Sequence, residues 1–420
     1  MPFPHVCVMG LGYIGLPTAS LLATKGFSVH GVDVNPHAVD TINQGNIHIH
    51  EPDLDVMVRA AVNSGNLRAA TEPTQADVFI IAVPTPIRPD KSPDLSFVEA
   101  AARTLAPYVA EGNLVVLEST SPVGTTERIC DWMAEARSDL VFPRRETAFS
   151  VAESEAREVF VSHCPERVLP GQILRELVEN DRVVGGVDRA STEKTLEFYG
   201  TFVRGQLLAT DSRTAEMCKL TENAFRDVNI AFANELSILG DALGIDPWEL
   251  ITLANRHPRV SILQPGPGVG GHCIAIDPWF IVHSRPDLAR LIRTAREVND
   301  SKPEWVLDKV KQRAERFREP VIACLGLAFK ADIDDLRESP SVEIVHALAE
   351  SRVGRILAVE PHIRELPPAL REAGVELVDL ASAVAAADIV VLLVNHKPFV
   401  RLDQAVLRDK IVIDTRGTWR

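Results

Sequence analysis

His5-Val6-Cys7-Val8-Met9-Gly10-Leu11-Gly12-Tyr13-Ile14-Gly15-Leu16-Pro17 is the stretch on which the fold turns. Its apolar first five residues read as a buried strand, and a glycine-rich turn then opens a helical segment. Gly10 permits a tight turn, Gly12 lets a pyrophosphate approach the backbone, and Gly15 lets the helix pack closely on the strand. Tyr13 and Ile14 fall at the helix start, where backbone N–H groups and the helix dipole favour an anion. A turn that only packs a helix onto a strand is the plainer reading, and the matched strand, helix and later acid weigh against it. That acid is Asp33, at the end of the second apolar run, Ser28–Val32, placed to accept from a ribose 2′-hydroxyl. Its charge disfavours a 2′-phosphate, so the expected cofactor is NAD.

Outward from this turn, apolar runs at 77–83, 113–118 and 158–162 alternate with helix-like segments. This alternation predicts a parallel, doubly wound sheet. Pro84 and Thr85 follow one run and Thr120 another, and in such a sheet those ends face the ligand crevice. From residue 211 the period changes to that of one helix reaching 243, with Asp211 as its N-cap and Gly244 just past its end. At about 1.5 Å per residue it spans roughly 50 Å. Ile230, Phe232, Ala233, Leu236 and Leu239 on it require apolar partners, which predicts a link between domains and a homodimer. After a second helical stretch over 288–317, strands at 321–325, 355–359, 388–394 and 410–413 predict another Rossmann-like unit. The expected fold class is α/β, with two Rossmann-like domains, parallel sheets, a long central helix and a helical dimerisation region. The expected boundaries are 1–205, 206–315 and 316–420.

A chain of 420 residues exceeds one ordinary core. Its formal charge of -14 argues against nonspecific binding to nucleic acid or an anionic membrane surface. No apolar run reaches the ~18 residues needed to cross a bilayer, and the start lacks a basic leader, which predicts a cytoplasmic protein. Six cysteines without CxxC spacing suit a reducing compartment and no zinc. His48 and His50 before Glu51 lack further ligands, so no metal is expected there.

Gly266-Pro267-Gly268-Val269-Gly270-Gly271-His272-Cys273-Ile274-Ala275-Ile276-Asp277 carries the chemistry. A cysteine can simply be a small core hydrophobe, as Cys7 and Cys324 in their apolar runs are expected to be. Four glycines around Cys273 instead suggest backbone brought close to a ligand. Glu166, in the loop after the run at 158–162, can be a general base or half of an exposed ion pair with its neighbour Arg167. Lys219 and Asn223, spaced i, i+4, share one helix face and can stabilise an oxyanion or be a solvated polar face. Lys330, Arg337, Arg259 and Arg416 are open in the same way, although arginine suits phosphate and carboxylate.

Taken together, Gly10 to Pro17, Pro165-Glu166-Arg167-Val168-Leu169-Pro170-Gly171, Lys219-Leu220-Thr221-Glu222-Asn223, the cysteine loop and Gly326-Leu327-Ala328-Phe329-Lys330 resemble the UDP-glucose/GDP-mannose dehydrogenase family over essentially the whole chain. The resemblance implies a four-electron oxidation of a nucleotide-sugar C6 alcohol to a carboxylate with two NAD and one water. By that resemblance Cys273 forms the covalent adduct, Lys219 and Asn223 stabilise oxyanions, Asp277 and Thr120 position water, and Glu166 assists acid–base steps. Lys330 would hold the nucleotide sugar, Arg337 would contact NAD, and Arg259 would reach a substrate bound by the adjacent subunit. Arg416 is a further substrate-side candidate. Other members carry Ser-Cys-Phe-Pro-Lys-Asp or Ser-Cys-Leu-Pro-Lys-Asp where this chain has His272 to Asp277, so their lysine is missing here. His272-Cys273-Ile274-Ala275-Ile276-Asp277, with Arg226-Asp227-Val228-Asn229 and Asp277-Pro278-Trp279-Phe280, resembles the branch acting on UDP-N-acetyl-hexosamines, and Gly270 and His272 are substrate-side candidates by that resemblance. UDP-N-acetyl-D-mannosamine is the expected substrate, with UDP-N-acetylglucosamine or UDP-glucose as alternatives. A catalytically silent NAD or nucleotide-sugar binder would lack Cys273 or the Lys219 and Asn223 pair, and all three are present.

Overall fold

Residues 3–49, 51–144, 158–169, 171–271 and 273–419 are described by the computed structural model of the chain. They fall into two compact units, 1–222 and 223–420, and the division lies inside the long helix Ser212–Leu243.

In the first unit eight strands among the described residues form one sheet: β1 (His5–Met9), β2 (Ser28–Val32), β3 (Leu67–Ala70), β4 (Val78–Ile81), β5 (Leu114–Leu117), β6 (Phe160–His163), β7 (Arg182–Gly186) and β8 (Leu207–Asp211). Their order is β3-β2-β1-β4-β5-β6-β7-β8. The chain therefore reverses direction across the sheet between β1 and β4, the switch point at which doubly wound sheets bind ligands. Alternation of side chains builds both cores. Val6, Val8, Val78, Ile80, Leu114 and Val116 enter one apolar cluster, while Cys7, Met9, Phe79, Ile81, Val115 and Leu117 enter the other. Two buried faces explain why these strands read as continuous apolar runs.

The expected alternation is present, with one reversal. β6 and β7 are antiparallel, pairing Ser162 with Gly186 and His163 with Gly185, and β8 runs parallel to β7. The start of β7 therefore lies beside the end of β6, at the carboxyl edge of the sheet. β3, β7 and β8 lie outside the apolar runs of the sequence: β3 carries Arg68, β7 opens on Arg182 and closes on two glycines, and β8 is mostly exposed.

The second unit contains β9 (Val321–Leu325), β10 (Arg355–Val359), β11 (Glu376–Leu377), β12 (Ile389–Leu392) and β13 (Ile411–Asp414), all parallel, in the order β11-β10-β9-β12-β13. Ile322, Cys324, Ile389 and Val391 face one core, and Ala323, Leu325, Val390 and Leu392 face the other. Burial pushes the thiols of Cys7 and Cys324 up to about 12, which makes them inert packing groups.

Asp211 caps the long helix, accepting from Thr214 N–H at 3.1 Å and from Thr214 Oγ1 at 2.7 Å. Gly244 lies just beyond its end, at φ 69°. No helix among the described residues is long and apolar enough to cross a membrane.

Candidate active site

The glycine turn divides its labour as its spacing implies. Gly10 has φ 90°, and a Cβ there would stand 2.5 Å from the Ala82 carbonyl oxygen. A Cβ on Gly15 would stand 1.7 Å from the Gly10 oxygen, so only glycine brings the helix this close. Gly12 is different, for a Cβ there would meet nothing within 4 Å. The turn is thus tight on its protein side and open at Gly12, which fits a pyrophosphate. Leu11 N–H donates to Asp33 Oδ2 at 2.9 Å and Asn35 N–H to Oδ1 at 2.9 Å, which fixes the carboxylate at the end of β2 with lone pairs left for a ribose. Tyr13 and Pro84 are exposed and Ile14 is half-buried beside the turn. Thr85 Oγ1 donates to the Thr120 carbonyl at 2.6 Å, tying two strand-end loops together.

Glu166 and Lys219 come together in the same unit. Glu166 follows β6 and is buried, and burial pushes its carboxyl above the usual carboxylate range while the Lys219 charge pulls it back. Lys219 is half-buried, two turns into the long helix. Glu216, one turn earlier, accepts from Gly124 N–H at 2.6 Å and Thr126 N–H at 2.8 Å, so it anchors that helix to the loop after β5. Burial raises the Glu216 carboxyl to about 7. His163 is wholly buried beside Lys219, and burial pulls its imidazole down to about 3. Arg167 does not pair with Glu166. Its guanidinium meets Glu222 at 2.6 Å and the Asp181 carbonyl at 3.3 Å. The loop is braced from below by buried Glu51, which accepts from Gly171 and Ile173 N–H groups at 2.8 and 2.9 Å.

In the second unit, the long helix holds both ends of the cysteine loop. Asn234 Oδ1 accepts from Gly266 N–H at 2.9 Å, and Asn223 Nδ2 donates to Asp277 Oδ2 at 2.5 Å. Asp277 is buried at the start of the helix Asp277–Ser284. The Cys273 carbonyl accepts from Ile276 and Asp277 N–H groups at 3.1 and 2.9 Å, and Cys273 itself is exposed. Asn234 is oriented in turn by a buried network: it donates to Asn299 Oδ1 at 2.9 Å, Asn299 donates to Asp227 Oδ1 at 2.8 Å, and Arg296 pairs with Asp227 at 2.5 Å. Of this network only Asp227 stood out in sequence, because recognising the rest requires knowing which faces of two distant helices meet.

The glycines of this loop make close contacts with the protein itself. A Cβ on Gly270 would lie 2.4 Å from the Glu338 carbonyl oxygen, one on Gly268 2.8 Å from Pro340, and one on Gly266 2.8 Å from Arg416 Nη1. Gly271, at φ 85°, lies against the Phe329 ring. Gly270 and Gly271 pack against the loop after β9, Gly268 against Pro340 at the start of the next helix, and Gly266 against Arg416 after β13. His272 lies outside the described residues, as do His50 and Pro170.

The turn after β9 differs from the first one. Leu327 and Ala328 N–H groups donate to Glu360 Oε2 at 2.7 and 3.0 Å, so a buried side chain takes the amides that an anion could otherwise use. His396 accepts from Asp332 N–H at 2.9 Å and meets Glu360 Oε2 at 3.0 Å. Asp332, His362 and His396 place ligand atoms within 4.8 Å of one another, but both His396 nitrogens are spent on the fold, which explains the cluster without a metal. Lys330, Arg226 and Arg259 are exposed, Arg337 pairs with Asp335 at 2.7 Å, and Arg416 Nε donates to the Leu393 carbonyl at 2.8 Å.

Three family models cover almost the whole chain: the NAD binding domain of the UDP-glucose/GDP-mannose dehydrogenase family matches residues 4–203, its central domain 213–301 and its UDP binding domain 323–420. The chain belongs to the UDP-glucose/GDP-mannose dehydrogenase family. It is an NAD-dependent nucleotide-sugar dehydrogenase. An NDP-N-acetyl-D-galactosaminuronic acid dehydrogenase of Ralstonia nicotianae is 62% identical over 99% of this chain and 96% of its own. A UDP-N-acetyl-D-mannosamine dehydrogenase of Yersinia pestis is 55% identical over the full length of both. Among solved structures, the UDP-N-acetyl-mannosamine dehydrogenase of S. aureus superposes with a TM-score of 0.86 at 40% identity, covering 99% of this chain and 95% of that one.

Proposed function

We propose that this dehydrogenase oxidises the C6 alcohol of UDP-N-acetyl-D-mannosamine to the uronate by way of a thiohemiacetal and a thioester on Cys273. The observation that carries this reading is the arrangement around the thiol: Cys273 is exposed, its carbonyl holds the turn into Asp277, and Asp277 is bonded to Asn223 on the long helix. NAD, when bound, supplies acceptance of a hydride from the alcohol and again from the thiol adduct. Gly10, Gly12, Gly15 and Asp33 would hold it, with Tyr13, Ile14, Pro84, Thr85, Thr120 and Arg337 as further contacts.

An alcohol oxidation needs only hydride and proton removal, but an aldehyde has no hydride to give until a nucleophile makes its carbon tetrahedral. The Cys273 thiolate adds to the aldehyde carbon, and Lys219 and Asn223 stabilise the resulting oxyanion. Loss of the second hydride leaves a thioester. Water positioned by Asp277 and Thr120 then attacks, Glu166 takes its proton, and the thiolate leaves as the carboxylate forms. Arg167, Arg226, Arg259, Gly270, His272, Lys330 and Arg416 remain substrate-side candidates. In this reading 1–205 bind NAD, 206–315 carry catalysis and dimerisation, and 316–420 bind the UDP-sugar of a cytoplasmic homodimer. Phe225, Phe232, Leu239 and Leu243 support the dimer, for they leave an exposed apolar stripe on the long helix.

A second reading, oxidation of the N-acetylgalactosamine epimer, is favoured by the 62% identical relative. The epimers are separated by assaying UDP-linked N-acetylmannosamine, N-acetylgalactosamine, N-acetylglucosamine and glucose side by side. Two NADH per sugar with the mannosamine substrate preferred is the expected result. One NADH with accumulated aldehyde, or full turnover in Cys273→Ala, would sink the covalent mechanism.

A further inference from the structure

The reversed strand β7 brings a buried arginine to the edge of the sheet where Glu166 lies. The antiparallel pairs Ser162–Gly186 and His163–Gly185 carry the start of β7 past the end of β6, on the side where the Glu166 loop leaves the sheet. A parallel β7 would have put Arg182 at the far edge. Arg182 is 4% exposed, and Glu166 to Val168 line one small cavity with it. Its Nη1 stands 3.8 Å from Glu118 Oε1 and 4.0 Å from Cys164 Sγ, its Nη2 donates to the Leu177 carbonyl at 3.2 Å, and its guanidinium lies 5.1 Å from the centre of the Tyr199 ring. Tyr199 Oη donates to Glu118 Oε1 at 2.6 Å. Glu166 Oε1, though buried, finds no hydrogen-bond partner among the described residues.

We propose that Arg182 is a positioning residue for Glu166: its cation favours the carboxylate that takes protons during turnover, and the Glu118 charge opposes it. The inference rests on the reading of Glu166 as the acid–base group. Other groups around Glu166 are neutral or occupied. Burial holds His163 neutral and pushes the Cys164 thiol to about 11 and the Tyr199 hydroxyl well above its ordinary value. Arg167 is taken by Glu222, Glu176 accepts from Leu169 N–H, and Asp181 accepts from Gln206 N–H. Lys219, Arg182 and Glu118 are left to act on Glu166, the first two lowering its proton affinity and the third raising it. Nearby Glu118 and Glu166 keep Arg182 protonated against the effect of its burial.

The test is the dependence of kcat and kcat/KM on pH, followed by NADH formation with UDP-N-acetyl-hexosamine, in the parent, Arg182→Gln, Arg182→Lys, Glu118→Gln and Glu166→Gln. Arg182→Gln removes the cation, so the acidic limb should move up by about one pH unit, the size expected of one buried charge nearby. Glu118→Gln keeps the acceptor for Tyr199 and removes the anion, so the limb should move down by a similar amount. Arg182→Lys should restore the parental limb. Shifts of opposite sign are not produced by general loosening of the site. Limbs that stay put, or move together, overturn the proposal. Should Arg182→Gln fail to fold, Glu118→Gln alone decides, since an unmoved limb there also refutes it. An acidic limb that persists in Glu166→Gln overturns the reading of Glu166 itself. A limb lost in Glu166→Gln but unmoved in the other variants overturns only the role of Arg182.

Discussion

Replacing Arg296 by Met should be among the most damaging single changes outside the reacting groups. Arg296 is 1% exposed and Asp227 is fully buried, their charged atoms 2.5 Å apart. Methionine can follow the arginine stem but leaves the Asp227 carboxylate with only the Asn299 amide and backbone around it. Breaking one side of a buried ion pair costs about 3–5 kcal/mol, and the surviving Asn299 bond places this case near about 3 kcal/mol. The assay is urea unfolding followed by tryptophan fluorescence, with Asp227→Leu/Arg296→Met as the control. Removing both charges should recover most of the loss, because no uncompensated carboxylate remains. The pH dependence has a definite sign. Burial already raises the Asp227 carboxyl in the parent, with Arg296 pulling it back, so the variant's folded state binds a proton more readily than its unfolded state. Stability then falls as pH rises from the unfolded value through the folded one, and the deficit should be larger at about pH 8 than at about pH 5. Because Asn299 also holds Asn234 and through it Gly266, kcat should fall more than NAD affinity. A deficit under about 1 kcal/mol, or one insensitive to pH, would refute the assignment of a desolvated buried pair.

Gly270→Ala forces a Cβ against the Glu338 carbonyl, so it should lower kcat and cost about 1–3 kcal/mol; unchanged kinetics and stability would mean that this contact relaxes freely. Phe232→Glu with Leu239→Lys places charges on the exposed stripe of the long helix and should yield monomers by light scattering; a parental mass would move the interface elsewhere. Lys302 is buried against Ser237 and Trp305, and burial lowers its ammonium to about 7. The unfolded chain therefore binds more protons between about pH 7 and about pH 10.5, and stability rises with pH there. Lys302→Met should consequently be stabilising near neutrality, with an advantage that shrinks toward about pH 10; an advantage constant with pH would contradict a charged, desolvated lysine.

The relation between sequence and structure differs from element to element. β1, β2, β9 and β10 begin and end where their apolar runs do, because a strand buried on both faces must be mostly apolar, and after β1 and β9 a glycine at positive φ turns the chain. Asp211 and Gly244 mark the long helix for an equally local reason, since caps satisfy backbone groups within a few residues. The tight turn at Gly10 and Gly15 was legible on the same terms.

Partners distant along the chain decided the rest. Nothing within Arg182–Gly186 says that it runs against β6, yet that direction brings Arg182 to the edge where Glu166 lines the same cavity. The glycines around Cys273 look the same in sequence whether they admit a ligand or the Glu338 backbone, and only packing separates the two. Asn234 and Asn299, 65 positions apart, become one anchor because two helices meet face to face. Sequence alone therefore determined the repeating α/β units, the glycine turn after β1 and the capped ends of the long helix, all set by short-range backbone geometry and the period of apolar burial. Tertiary structure alone decided which charges share a desolvated space and what holds the cysteine loop, because both depend on distances between residues that the chain brings together only on folding.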